Sequence, residues 1–504
     1  MRRIVAPLAA CSLVAAVAAL YAPALKLSLV SDDYQWFQLA HRAIHQPVFL
    51  LKDLDTFWRP SSTWTLAATH LAFPFDAEAH HAVSLAIFAA AALLLLAVAR
   101  RAGLGLPAAA ATALIWACSP FASEPAVSVA SRHETLLFAG WLGLALVWPG
   151  PGERWSRRRV AGAAACTVLA ACSKETWIVT PMFAFAYEAA FRKTPLRRAL
   201  SPVLVFAAPA VVFTAVRFLL FPTFRGYFSL QPSVFAKVPS ELAAFLHFEE
   251  LVPLAFPFSW KGALAIAVVV GLAALGWRHA QAPAAVGLAL LVAPTLPTLL
   301  VPYLPTRYTT IPYAGFVLLA AGILEAGVRA APVRRRSAVA AAATALGLLV
   351  LISGVITVRA DLLDDARLSA AHVRLLREAA AVAPAFPLDG PVLVVRAESN
   401  NPARDIVMGP HGLAKIIFVR PTDPDGLADT AALFEWALRR EGIAVRSRDD
   451  GEPGLVGLPG AVLEHRPDGF VWLARSAPDI AAVARSARLA GLRYRLIEAA
   501  PLAR

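Results

Sequence analysis

Lys and Arg fall in alternate gaps between the long apolar runs of this sequence. That alternation constrains the fold more than any other feature. The apolar runs cover roughly 4–24, 79–99, 104–121, 134–149, 160–172, 175–191, 199–220, 261–277, 283–301, 309–328 and 338–358. A helix needs about 20 mostly apolar residues to cross a bilayer. Basic residues crowd at Arg2-Arg3, Arg100-Arg101, Arg154 with Arg157-Arg158-Arg159, Arg192-Lys193 with Arg197-Arg198, Arg278, and Arg329 with Arg334-Arg335-Arg336. Cytoplasmic loops are the ones enriched in Lys and Arg. The other gaps, at 25–78, 122–133, 173–174, 221–260, 302–308 and after 359, therefore face outward. Eleven spans place the N-terminus inside and residues 360–504 outside.

Composition agrees with a polytopic α-helical membrane protein. Hydrophobic residues make up 58% of the chain and charged residues 16%, with a mean hydropathy of +0.61, well above a soluble average. The net charge of +13 is then largely the topology signal, and no nucleic-acid partner is needed to explain it. Cys11, Cys118, Cys166 and Cys172 all lie in or beside apolar runs, so the outer region has no disulfide framework. Leu8-Ala9-Ala10-Cys11 has the outline of a lipoprotein cleavage site. The apolar run continues past it, as in a signal-anchor helix. Ala-rich spans with more Arg than Lys have the composition of a high-GC bacterium, which places the chain in a cell inner membrane.

The outward gaps carry the polar motifs. Asp32-Asp33 follows the first span directly, in Ser31-Asp32-Asp33-Tyr34-Gln35-Trp36. Carboxylates are costly at membrane depth, so a pair at the mouth of a span points to chemistry or ion binding at that surface; a lone Asp would read as a solvated loop. Asp33 to His45 reads as an interfacial helix with Trp36, Phe37, Leu39, Ala40 and Ile44 on its apolar side. His41 and His45 have the i, i+4 spacing of a two-histidine metal site. No third ligand follows at a definite spacing, so the amphipathic reading is preferred. The same loop reaches Phe57-Trp58-Arg59-Pro60-Ser61-Ser62, where Arg59 either snorkels to the headgroups or forks onto a lipid phosphate.

Ser119-Pro120-Phe121-Ala122-Ser123-Glu124-Pro125, closed by Ser131-Arg132-His133-Glu134, forms the next outer site. Its prolines interrupt a helix at membrane depth, where irregular backbone needs protein or water around it. Glu124 and Arg132 are the natural partners for each other within it. Cys172-Ser173-Lys174-Glu175-Thr176 is a charged corner between apolar stretches. It is either a turn that solvates its own charges or a point charge for a phosphate. Pro305-Thr306-Arg307-Tyr308 leads into Ile311-Pro312-Tyr313-Ala314-Gly315-Phe316. Arg307 lies on the outer side, where the positive-inside rule does not account for it.

In this order and on one membrane side, these motifs resemble the membrane half of GT-C glycosyltransferases. The similarity is nearest to the protein O-mannosyltransferase-like and transmembrane-TPR branches. Those families have an acidic pair after the first span, then a "YRP"-like element, an "HP…EAV…GR" segment, a "KE" corner and an "RYLYLPS.G" segment. Here Trp58-Arg59-Pro60, Ser119-Pro120 through Glu124 to Arg132, Lys174-Glu175, and Arg307-Tyr308 to Gly315 occupy those places. The resemblance covers about residues 1–330. Ser119 replaces the family histidine, Pro125 follows Glu124, and nothing after 359 shows a helical-repeat period.

The resemblance implies transfer of a sugar from a polyprenyl-phosphate donor to a hydroxyl of a glycan, lipid or protein acceptor at the outer face. It implies Asp33 or Asp32 as base and Arg59, Lys174 and Arg307 at the donor phosphate, with Glu124, Arg132, Glu175 and Tyr308 in support. A divalent cation at Asp32 and Asp33 stays open, because some members of the family use one and others do not.

Two domains are expected: a transmembrane domain over 1–359 with the long outer loop 25–78, and an extracytoplasmic α/β domain over 360–504. In the second, Asp361 to Ala381 reads as a helix leaving the membrane. Pro391 to Val395 and Ala414 to Val419 read as strands, and Thr430 to Arg440 as a helix. A hairpin turns at Arg466-Pro467-Asp468-Gly469, and the domain is suited to acceptor binding or partner docking. A lipid-linked sugar flippase or transporter is a competing class, as is a non-catalytic scaffold. A transporter would carry its charges within broken spans, whereas here they gather at one face.

Overall fold

The computed structural model describes residues 2–29, 33–50, 58–150, 152–192, 194–220, 234–246, 260–298 and 306–382. Beyond these it describes the strand residues 391–396, 406–408, 414–416, 445–448, 460–466, 469–477 and 493–499. The first three helices are α1 (Arg2–Tyr21), α2 (Asp33–His45) and α3 (Pro60–Ala72). The helix expected over Asp33 to His45 is thus present as α2, with Trp36, Phe37, Leu39 and Ala40 buried. α4 (Ala77–Arg101) is capped by the Asp76 side chain, which accepts the Ala79 N–H at 3.1 Å, and ends on Arg100-Arg101. Both termini therefore match the helix dipole.

α5 (Leu106–Ala117) and α6 (Pro120–Val127) together fill the next apolar run but meet at a bend of 66°. Pro120 lacks an N–H and disfavours helical backbone before it, and Ser119 is accordingly extended at φ −90°, ψ 151°. The bend carries α6 sideways, with Glu124 on it. α7 (Arg132–Val147) and α8 (Arg157–Ala171) follow. The stretch expected as a span over 175–191 is broken into a 3₁₀ turn at Glu175–Val179, α9 (Thr180–Ala186) and a π turn at Tyr187–Phe191. Pro181 cannot donate to the Trp177 carbonyl, and the Thr180 hydroxyl donates to it instead at 2.5 Å.

α10 (Leu196–Leu220), α11 (Val234–Phe245), α12 (Trp260–His279), α13 (Gln281–Thr298), α14 (Thr310–Ala330) and α15 (Val333–Val382) are the further helices among the described residues. Among the described residues six helical stretches are long and apolar enough to cross a membrane, or seven if the bent α5–α6 pair is one span. The chain is a multi-pass membrane protein. Of the remaining apolar runs, α7 has 16 residues, α8 has 15, and 175–191 is broken, while α10 runs for 25 residues.

The helices pack on an aromatic seam. Phe88 stacks on Trp116 at 4.8 Å, and Trp116 meets Phe138 at 5.1 Å. The Trp116 indole N–H donates to the Thr310 carbonyl at 2.9 Å, and Tyr21 Oη donates to the Ala117 carbonyl at 2.9 Å. These bonds tie α1, α5 and α14 together, and the Tyr21 bond satisfies one of the carbonyls that the end of α5 leaves without a helical donor.

The helix expected over Asp361 to Ala381 is present, as the continuation of α15, which runs unbroken through it from the last apolar run. Ala, Leu and Arg dominate the continuation and all favour helix, so the change from apolar to charged does not interrupt the backbone. The extension is pinned as well. The Ser28 N–H donates to Ser369 Oγ at 2.7 Å, and Ser123 Oγ donates to Asp361 Oδ2 at 3.4 Å.

Further on, β1 (Pro391–Arg396), β4 (Val445–Arg448), β5 (Gly460–Arg466), β6 (Gly469–Ala477) and β7 (Arg493–Ala499) form a sheet in the order β4-β7-β1-β5-β6. β1 is parallel to β5 and antiparallel to β7. β5 and β6 pair with Arg466 opposite Gly469, where the hairpin is expected. β2 (Ile406–Met408) and β3 (Ala414–Ile416) pair separately. The helix expected over Thr430 to Arg440 lies outside the described residues.

Gly287 and Gly315 let α13 and α14 touch backbone to backbone. A Cβ on Gly315 would meet the Gly287 carbonyl oxygen and, at 2.5 Å, the Leu291 nitrogen. Backbone atoms cannot swing aside as a side chain does. Gly315→Ala is expected to force the helices apart and cost about 1–3 kcal/mol, read as a lowered midpoint of thermal unfolding in detergent.

Candidate active site

The segment Ser128 to Glu134, between α6 and the first turn of α7, is the hub on which the polar motifs meet. The Ala130 N–H donates to Asp33 Oδ1 at 2.6 Å, and Ser128 Oγ donates to the same oxygen at 3.3 Å. Asp33 is only 1% exposed and begins α2, so this contact fastens the interfacial helix to the hub. Asp32, the other half of the acidic pair, lies outside the described residues.

From the same segment His133 and Glu134 reach the cations. The Arg59 guanidinium donates through Nε and Nη2 to the two oxygens of Glu175, at 3.4 and 3.1 Å. Its Nη1 lies over the His133 ring, 3.0 Å from Nε2 and 3.5 Å from Nδ1, and Trp36 lies against the guanidinium at 5.7 Å. Lys174 Nζ donates to Glu134 Oε1 and sits 3.8 Å from the centre of the Tyr308 ring, a cation–π distance. Arg307 lies 5.8 Å from the same ring. Its backbone N–H and Nη1 donate to Glu124 at 2.9 and 2.8 Å.

Two local structures hold these groups in place. Ser61, at the start of α3, bonds the Cys172 carbonyl through its N–H at 3.0 Å and shares a hydroxyl contact with Ser173 at 2.8 Å. That docks the Arg59 end of α3 on the Lys174 corner. Thr310 Oγ1 donates to the Phe121 carbonyl at 2.8 Å, holding the Arg307 turn against α6.

Burial opposes the charge of Arg59, but the Glu175 carboxylate more than offsets it and leaves the guanidinium pKa raised. Burial also pulls Lys174 down, against the attraction of Glu134, and it settles at about 8. The cations are therefore individually neutralised, which is the condition for keeping them out of water.

Of the residues expected from sequence, Asp33, Arg59, Glu175, Lys174, Tyr308, Arg307 and Glu124 are linked through this hub. Two pairings are corrected. Glu124 does not pair with Arg132: it takes Arg307, because α6 and the Arg307 turn pack together. The Lys174-Glu175 corner does not solvate its own charges either, since Lys174 takes Glu134 while Glu175 takes Arg59.

Arg132 points elsewhere altogether. It is fully buried and donates to Ser84 Oγ at 3.1 and 3.0 Å, to the His80 carbonyl at 3.0 Å and to Thr69 Oγ1 at 3.4 Å. The structure thus gives it a joint between α3, α4 and α7. His41 of the interfacial pair bonds His70 at 3.1 Å. Among the described residues no three His, Cys, Asp or Glu side chains converge as a metal site.

Sequence reasoning quoted His133 and Glu134 but gave them no role. No sequence signal marks them: that Lys174 needs a carboxylate beyond Glu175 follows only once Arg59 is seen to occupy Glu175.

No protein-family model matches the chain, and no curated protein matches it. Among solved structures it is similar to the crystal structure of ArnT from Cupriavidus metallidurans in the apo state. The two share 14% identity at a TM-score of 0.51, with 97% of each chain covered. The fold is that of the GT-C glycosyltransferases. ArnT from the same organism bound to undecaprenyl phosphate aligns at a TM-score of 0.42 and 14% identity, over 91% of this chain and 93% of that one.

The Arg132 contacts yield a stability prediction. Arg132→Lys keeps the charge but cannot span three partners, stranding buried polar groups at about 1–3 kcal/mol each. It is expected to lower the unfolding midpoint in detergent clearly more than Arg307→Lys does.

Proposed function

We propose that this chain transfers a sugar from a polyprenyl-phosphate-linked donor to an acceptor hydroxyl at the outer face of the membrane. The observation that carries the reading is the gathering of Arg59, Lys174 and Arg307, far apart in sequence, around His133, Glu134 and Tyr308. Asp33 is bonded to the same segment. Three cations at one membrane surface suit a phosphate leaving group, and a carboxylate beside them suits a base. The GT-C fold agrees with this chemistry.

In the proposed reaction Asp33, or Asp32 beside it, accepts the acceptor hydroxyl proton. The acceptor oxygen bonds to the anomeric carbon as the bond from that carbon to the phosphate oxygen breaks. The departing polyprenyl phosphate gains negative charge, which Arg59, Lys174 and Arg307 stabilise. Glu175, Glu134 and Glu124 keep these cations charged and aimed before the donor arrives; Tyr308 orders Lys174. Arg132 supports from behind, by holding the hub. No step is routed through a metal ion. The reading includes eleven crossings with a cytoplasmic N-terminus in a bacterial inner membrane. Residues 360–504 then form an outer domain for the acceptor, whether glycan, lipid or protein.

Purified protein mixed with radiolabelled polyprenyl-phosphate hexose and cell-envelope extract should transfer label. Vectorial lipid movement without transfer would replace this reading with a flippase. Asp33→Asn keeps an acceptor oxygen for Ala130 but loses the basic carboxylate, and is expected to slow transfer about 10²–10⁴-fold while the protein stays folded. Asp32→Asn should be next most damaging; parent rates in both would make the pair structural.

A pH limb follows from Lys174. It is charged below about 8 and neutral above, so donor kcat/KM, which reports the free enzyme, should fall as pH rises through that value. Lys174→Arg stays charged and should move the limb to higher pH.

A further inference from the structure

α3 packs on α2, α4 and α7, and its polarity is inverted. The side turned into the protein holds four polar residues, Ser62, Thr63, Thr69 and His70, around Leu66, all between 0% and 5% exposed. The side turned away holds Trp64, Ala68, Leu71 and Ala72, all exposed. Their i, i+4, i+7 and i+8 spacing makes one stripe along the helix. Leu71 is 70% exposed and Trp64 42%. A helix facing water shows the opposite arrangement, with charged and polar residues on its free side. Here not one Asp, Glu, Lys or Arg occurs between Arg59 and Asp76.

Polar atoms on the free side are satisfied by the chain itself. The Trp64 indole N–H donates to the Leu50 carbonyl at 2.8 Å, and Thr65 Oγ1 donates to the Ser62 carbonyl at 2.9 Å. At the end of the helix the Phe73 N–H returns to the Thr69 carbonyl at 2.8 Å. Lipid demands such internal satisfaction of a surface, and water does not. Apolar exposure also extends past the helix. Val48 is 60% exposed in the turn Pro47–Leu50 that Trp64 bonds, and Phe73 is 49% exposed just after α3.

With 13 residues, α3 is about 20 Å long against about 30 Å of hydrocarbon, too short to cross. Only residues 73–76 separate it from α4, one of the stretches long and apolar enough to span. An apolar face beside a span, without a charge for a soluble partner to pair with, fits the acyl chains of the bilayer.

We propose that α3 is embedded part-way into the membrane, with Trp64, Ala68, Leu71 and Ala72 against the acyl chains beneath the headgroups. Arg59 is the N-terminal cap of this helix, so the depth of α3 sets the depth of the guanidinium. On the donor-phosphate reading given above, that depth brings Arg59 to the level of a lipid phosphate. The embedding itself does not depend on that reading.

A nitroxide at Leu71→Cys reads the contact directly, in the full chain reconstituted into phosphatidylcholine nanodiscs. Cys11 is the exposed natural cysteine, so Cys11→Ala is the background and its residual signal is subtracted. Oxygen concentrates among acyl chains, whereas a nickel chelate stays in water. The Leu71 label is expected to collide with oxygen several-fold more than with the chelate, as should a label at Val270→Cys on the exposed side of α12. A label at Arg154→Cys, between α7 and α8, should show the reverse order. More collisions with the chelate at Leu71 would mean a water-facing helix. Few collisions with either would mean that a protein partner or a second copy covers it. Each of those results overturns the inference.

If the labelled variant does not fold, the natural chain provides a second measurement. The fluorescence that Trp64→Phe removes should be quenched by lipids brominated on their acyl chains and spared by aqueous iodide; the opposite pattern overturns the inference. Neither measurement reads sugar transfer, so the embedding can fail while the transfer reading stands, and the transfer reading can fail while the embedding stands.

Discussion

A cation kept from water must be matched, and the polar end of this protein is built around that requirement. Arg59 and Lys174 are each 5% exposed and Arg132 not at all, and removing one partner of a buried ion pair costs about 3–5 kcal/mol. The matching carboxylates and hydroxyls come from distant parts of the chain: Glu175 for Arg59, Glu134 for Lys174, Ser84 and Thr69 for Arg132. Charge neutralisation therefore does what a disulfide framework does in a small secreted domain, tying loops between membrane helices to one another. Neutralisation also sets the conditions for binding. A phosphate entering here competes with carboxylates already in place, so its affinity depends on geometry more than on net charge.

Much of this was legible before any coordinates. The helix over Asp33 to His45 and the gathering of Arg59, Lys174 and Arg307 follow from where charges interrupt apolar runs. Pairing was not legible. Glu124 stands eight residues before Arg132 in the sequence but bonds Arg307, 183 residues away, and only the bend at Ser119-Pro120 makes that contact reachable. Arg132 carries the same charge as its neighbours in the hub yet turns into neutral oxygens of α3 and α4. Nothing in a short motif distinguishes a guanidinium facing a substrate from one facing a threonine.

His133 and Glu134 escaped notice for a related reason. They open an apolar run, so they read as the polar fringe of a span. Their importance is relational: each completes a partner whose own position lies dozens of residues away. Sequence patterning reports which face a residue occupies, but hydrogen-bond valence is satisfied in three dimensions.

The unbroken helix α15 has a consequence for how the outer part of the chain can vary. At 1.5 Å per residue its 50 residues span about 75 Å, against about 30 Å of hydrocarbon. A flexible linker absorbs insertions and deletions. A rod instead translates everything beyond it by 1.5 Å and turns it by about 100° for each residue gained or lost. With Asp361 and Ser369 holding the phase of the rod at its exit, length changes beyond them preserve facing only near whole turns. Such a rod behaves as a spacer with an angular setting, and its natural variation should be counted in helical turns.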